Sequence, residues 1–196
     1  MTRKRFGVGG VILGWIVVNA LGVAAIGVVV SIFPFLTSIH GIPVSSLMIG
    51  LPIGLAQWIG LRRVAPISIL WVLTVSAGLL SGLVVVNSPI AGIWGFLDDE
   101  SVLSLTAAYT TIGLLMGLAQ WLLLQGHFTR AVVWPFSSAV GLGLGCGLVL
   151  ASDLVYQSEV ISIILVFLVY AIATGLAKAW LSASHKRTES DLVNGT

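Results

Sequence analysis

Along this chain the polar residues fall in short clusters and the apolar residues in long runs. Six apolar segments stand out, at about 7–36, 44–61, 66–87, 103–124, 131–151 and 159–182. Pro34 lies near the end of the first, Arg62-Arg63 close the second, and Asp98-Asp99-Glu100 precede the fourth. Pro66 opens the third, at a first helical position where its missing N–H costs little. Pro135 falls in the first turn of the fifth, and Pro52 interrupts the second, where loss of one helix hydrogen bond predicts a local bend. The runs are too long and too uniformly apolar for barrel strands, which alternate apolar and polar residues. A backbone in hydrocarbon must satisfy its own polar groups, so the runs are expected to be helices.

Composition turns six helices into six crossings. The 196-residue chain is 58% hydrophobic and only 8% charged, against about a quarter charged in soluble domains. A crossing takes roughly 20 apolar residues, so the length allows about six with short loops. The first run follows Arg3-Lys4-Arg5 and exceeds a signal-peptide core, so it is expected to be a retained helix. The formal charge of +2 gives no basis for nucleic-acid binding.

The charges are placed asymmetrically. Arg3, Lys4, Arg5, Arg62, Arg63, Arg130, Lys186 and Arg187 lie at the N-terminus, in the second and fourth loops and in the tail, on one side of a six-helix chain. The third and fifth loops carry Asp98, Asp99, Glu100, Asp153 and Glu159 and no base. Cytoplasmic loops carry the excess of Lys and Arg, so both termini are expected in the cytoplasm. The plasma membrane is the expected location, with an internal photosynthetic membrane as the alternative.

The even-numbered segments repeat one another. Gly50-Leu51-Pro52-Ile53-Gly54-Leu55-Ala56-Gln57-Trp58 matches Gly113-Leu114-Leu115-Met116-Gly117-Leu118-Ala119-Gln120-Trp121. A degenerate third copy reads Ala171-Ile172-Ala173-Thr174-Gly175-Leu176-Ala177-Lys178-Ala179-Trp180. In the odd segments Trp15 precedes Gly22, Trp71 precedes Gly78 and Trp134 precedes Gly141 by the same interval, about two helical turns. The chain reads as three tandem hairpins, at about 1–63, 64–127 and 128–186, with 187–196 a short cytoplasmic tail. Such copies would be related by pseudo-threefold symmetry about the membrane normal. The small residues have a packing role: spaced four apart, they let backbones approach where lipid supplies no hydrophobic drive. Gly50, Gly54, Gly113, Gly117, Gly175, Gly78 and Gly141 are the expected packing residues.

Candidate chemistry rests on the polar position ending each copy: Gln57, Gln120 and Lys178. These fall on the glycine stripe, so they should face other helices and form a cluster near the cytoplasmic end, with Asn19 of the first segment a fourth member. Polar groups at membrane depth are costly and often functional. They also serve as interhelical glue, and Lys178 is near enough to the boundary to snorkel outward. The tryptophans of both odd and even segments are expected to form an aromatic belt at the headgroups. Cys146 reads as a small buried residue. His40, His127 and His185 are scattered over both sides, and Asp98-Asp99-Glu100 lacks a calcium-loop pattern, so neither a metal nor another cofactor is expected. The set needed for catalysis is nearly empty.

The run Gly54-Leu55-Ala56-Gln57-Trp58-Ile59-Gly60-Leu61-Arg62-Arg63 resembles segments repeated in small hydrophobic proteins of unknown function, common in cyanobacteria and Chloroflexota. The resemblance covers the copies around Gln57 and Gln120, although Gln125-Gly126 follow Leu124 where the first copy has arginines. It implies a multi-pass membrane protein and no particular activity. The expectation is an all-α integral membrane protein: a single six-helix domain that is not an enzyme and acts as a structural, assembly or accessory subunit. Its partners would be the lipid bilayer and a second copy or another membrane protein. The alternatives left open are a small-solute channel or transporter using the Gln/Gln/Lys cluster, and a pigment- or lipid-binding protein.

Overall fold

The structure is a computed structural model, and it describes residues 7–32, 42–86, 102–152 and 159–194. Among these the protein is all-helical, with six helices: α1 (Val8–Ile32), α2 (Ile42–Leu61), α3 (Leu70–Val86), α4 (Val102–Leu124), α5 (Val133–Ala151) and α6 (Glu159–Asn194). Asp98-Asp99-Glu100 and His40 lie outside the described residues. Four stretches are long and apolar enough to cross a membrane: Val8–Ile26, Val102–Leu124, Val133–Ala151 and Ile161–Ser182. The protein is therefore membrane-embedded in character. Shorter apolar stretches, Ser46–Leu61 and Leu70–Gly82, lie on α2 and α3.

Two helix ends differ from the sequence reading. Pro66 is not the first residue of α3: residues 62–69 form a non-helical link and the helix starts at Leu70. The link is held by the backbone N–H of Ile67 donating to Ala65 and by the Trp58 indole N–H donating to the Ile67 carbonyl at 3.0 Å. That contact consumes the residues that would have formed the first turn. At the other end of the chain, α6 does not stop near residue 182 but continues to Asn194. Its last dozen residues include Lys186, Arg187, Glu189 and Asp191, which suit a helix in water as well as a loop. Helix α2 continues through Pro52 without a break.

Each helix packs against its neighbours in the chain, and α6 packs back on α1, so the six close into a ring. The outward faces carry Leu13, Val17 and Leu21 on α1, Leu47, Leu51, Leu55 and Ile59 on α2, and Phe136, Val140, Leu144 and Leu148 on α5, all exposed. The inward faces carry Asn19, Gln57, Gln120, Ser138, Thr174 and Lys178, all buried. A water-soluble bundle has the reverse arrangement. With lipid as solvent, exposed apolar side chains cost nothing and polar ones gain where they pair inside; of those named, the Ser138 hydroxyl has no hydrogen-bond partner among the described residues.

Glycine sets how closely the ring closes. A Cβ on Gly54 would meet the Val72 carbonyl oxygen at 2.9 Å, and one on Gly117 would meet the Pro135 Cα at 2.6 Å. Gly50 abuts Ser76, Gly113 abuts Ser138, and Gly78 abuts Met116. Gly141 sits on the backbone of Tyr170 and Gly175 on the ring of Trp15. All seven expected packing glycines therefore stand at helix–helix contacts, six of them where a Cβ has no room and Gly175 where it would fit tightly against Trp15.

Candidate functional site

The centre of the ring is a hydrogen-bonded polar cluster to which all six helices contribute. Gln57 of α2 is its hub. Its Nε2 donates to Asn19 Oδ1 of α1 at 2.8 Å and to the Tyr170 hydroxyl of α6 at 3.5 Å. Its Oε1 accepts from Trp71 Nε1 of α3 at 3.4 Å and from Gln120 Nε2 of α4 at 3.3 Å. Gln120 Oε1 accepts from Trp134 Nε1 of α5 at 2.7 Å. Asn19 Nδ2 donates to the Trp15 carbonyl at 2.9 Å. Gln57, Gln120, Trp15, Trp71 and Trp134 are all 0% exposed. A carboxamide offers two N–H donors and one carbonyl acceptor, so Gln57 has both ends occupied.

The two glutamines are used alike. Each accepts the indole N–H of the tryptophan 14 residues further along, at the start of the next helix. The third position breaks the rule for a chemical reason. Lys178 occupies the glutamine's place, and an ammonium group has no acceptor to offer an indole. The Trp15 N–H goes instead to Thr174 Oγ1, one turn earlier on α6, at 2.9 Å. Thr174 in turn donates to the Tyr170 carbonyl at 2.8 Å. Lys178 remains beside Trp15 with its ammonium 4.4 Å from the ring centroid, a cation–π contact. Its Nζ also donates to the Gly60 carbonyl at 3.3 Å. Gly60 lies in the last turn of α2, where carbonyls lack helical partners and the helix dipole favours a cation.

Lys178 is 8% exposed, its side chain held between the Trp15 ring and the Gly60 carbonyl. This contact predicts a graded result. Lys178→Met, which loses the donor, should lower stability by about 1.5 kcal/mol. Lys178→Gln, which keeps an N–H for Gly60, should lose less than half of that. Both are read from unfolding midpoints in a denaturing-detergent titration.

The odd-helix tryptophans correct the aromatic-belt expectation. Trp15, Trp71 and Trp134 lie at the core and pack on one another edge to face, with centroids 5.8 Å apart for Trp15–Trp134 and 5.6 Å for Trp71–Trp134. Each is drawn inward by an acceptor for its N–H. The even-helix tryptophans do lie further out. Trp58 carries the Arg62 guanidinium 4.8 Å from its ring centroid, and Trp180, 40% exposed, carries that of Arg130 at 5.1 Å.

Gln57, Gln120 and Asn19 meet in this cluster, and Lys178 lies beside it on the Trp15 ring and the Gly60 carbonyl. Tyr170, Thr174 and the three core tryptophans were not singled out as members from the sequence. The signal for two of them was the repeated Gln–Trp interval, Gln57 to Trp71 and Gln120 to Trp134. Tyr170 and Thr174 have no counterpart in the other copies, and their role emerges only from the ring closure. Cys146 is buried and free. Among the described residues no group of three His, Cys, Asp or Glu side chains converges as a metal site. Compared with known proteins, the chain matches no family model, no curated protein and no solved structure.

Proposed function

We propose that this is a non-enzymatic integral membrane protein that works as a structural, assembly or accessory subunit, presenting a rigid six-helix body to a partner within the bilayer. In this reading the chain crosses the plasma membrane six times, as three hairpins about a pseudo-threefold axis, with both termini cytoplasmic. The observation that carries it is that the two central glutamines bond to other buried side chains. Gln57 and Gln120 spend their carboxamides on Asn19, Tyr170, Trp71, Trp134 and each other. A solute path needs such groups facing an aqueous lumen, whereas glue needs them facing one another. The recurring use of Gln57 with Trp71, Gln120 with Trp134 and Lys178 with Trp15 supports the hairpin repeat. The sequestration of Lys and Arg on one side of the chain supports the orientation.

The test is purification of tagged protein from native membranes in mild detergent, followed by mass spectrometry of stoichiometric companions. The expected result is a reproducible membrane-protein partner. Recovery as a lone monomer or homo-oligomer, together with solute flux when reconstituted in liposomes, would replace this reading with transport.

A further inference from the structure

Outside the ring, the faces of α1, α2 and α3 leave a groove of about 780 Å³. Leu21 and Ala25 form one wall, Leu73 and Ile69 the other, and Leu51, Pro52 and Ile59 the floor. The groove exists because Gly22 seats α1 directly on the Ile53 backbone, with only 3.0 Å for a Cβ, and because small or compact residues, Ala25, Pro52 and Ala56, line it where larger ones would fill it. Its lining is almost wholly apolar.

One end is different. Ile59 and Ile69 flank the link between α2 and α3, and that link carries Arg62 and Arg63, both exposed. Arg62 is stacked on Trp58, which fixes its position at the end of α2. No Asp or Glu occurs anywhere before Asp98 in the chain, so this half of the sequence offers the two guanidiniums no counter-ion. From Ile59 to Leu51 the groove follows α2 for about 12 Å. One leaflet of hydrocarbon is about 15 Å deep, half of the roughly 30 Å core. The groove thus opens at Ile59 and Ile69, on either side of the link that carries the two cations, and ends near the depth at which a single acyl chain ends.

We infer that this groove is a binding site for one anionic phospholipid, with an acyl chain along α2 and the phosphate held by Arg62 and Arg63. Any of α1 to α5 from a second copy would cover the apolar walls but carries no Asp or Glu for the arginines. A free anion would answer the arginines and leave the groove bare. The phospholipid answers both.

The experiment is native mass spectrometry of the full chain released from detergent, titrated with phosphatidylglycerol or with phosphatidylcholine of identical acyl chains. Retention of one phosphatidylglycerol per chain is expected, about 20- to 30-fold tighter than phosphatidylcholine, since each arginine at the headgroup contributes roughly a fivefold preference. Arg62→Gln with Arg63→Gln should erase the preference. Ala25→Phe, which fills the groove away from the arginines, should weaken retention of both lipids while the thermal midpoint stays within a few degrees. Equal retention of the two lipids, or indifference to the arginine substitutions, would overturn the headgroup assignment. Unchanged retention by the Ala25 variant would overturn the groove. A dimer that excludes lipid would assign the face to a second copy instead.

Discussion

Gln57→Leu is expected to destabilise the protein by about 3 kcal/mol, the largest effect of any single polar substitution in the core. Leucine has nearly the volume of glutamine but none of its polar atoms. The change strands the Asn19 Oδ1, the Trp71 N–H and one Gln120 N–H in the centre of the ring. Each buried group left without a partner costs about 1–3 kcal/mol. Interhelical hydrogen bonds in membranes average nearer 0.6 kcal/mol, because the unfolded helices find other partners, so the sum is set at the low end of the range. Gln120→Leu should cost less, since Gln120 serves two partners and Gln57 four. The measurement is the unfolding midpoint in a denaturing-detergent titration, followed by tryptophan fluorescence, which the burial of Trp15, Trp71 and Trp134 makes sensitive to core opening. A Gln57→Leu protein as stable as the parent would mean that the cluster is not glue, and would revive the transport reading.

Gly117→Ile is expected to cost at least as much, about 3 kcal/mol or more, and to yield little monodisperse protein. A Cβ there meets the Pro135 Cα at 2.6 Å and the Ser138 Cβ at 2.9 Å. Backbone cannot swing aside as a side chain can, so α4 and α5 must separate. Overpacking a close contact costs about 1–3 kcal/mol and occasionally more, and here separation also pulls Gln120 from Trp134. Gly14→Ile is the matched control. Gly14 has the same residue type and lies within a helix, but nothing stands within 4 Å of its Cβ position, so the change should stay within about 0.5 kcal/mol. Size-exclusion profiles and melting temperatures of the two variants side by side check the pair. Equal tolerance of both would remove close packing as the role of the glycines.

The contrast between those two glycines also marks what was legible in the sequence. Helix number and approximate position followed from the length of the apolar runs, because hydrocarbon forbids an unpaired backbone. The packing glycines followed from their recurrence with Gln57 and Gln120. Gly14 belongs to no such recurrence, and the structure leaves it open. The candidacy of Gln57, Gln120 and Lys178 followed from their place on the glycine stripe, and that of Asn19 from its depth in the first apolar run. The fate of the tryptophans did not. Indole is amphipathic, and at a helix end it suits the headgroup region or the core equally well. The choice depends on whether an acceptor stands across the interface, and that requires the neighbour's register. For Trp15 the acceptor is Thr174, on the last helix, so no local pattern could reveal it. Pro66 was misplaced for a related reason. Its position suits a helix start, but Trp58 on the preceding helix captures the Ile67 carbonyl and delays the start to Leu70.

The bond between Trp15 and Thr174 spans 159 positions of the chain, and this distance has a meaning in time. At roughly 5–20 residues per second of synthesis, the first helix waits about 8–30 s in the bilayer before its acceptor is made. Asn19 waits far less, since Gln57 follows only 38 residues later. On this timing the ring is an open arc that grows helix by helix and shuts last at its seam. A ribosome that stops short of Thr174 leaves an indole N–H unanswered at the free edge, a built-in mark by which an unfinished chain differs from a finished one.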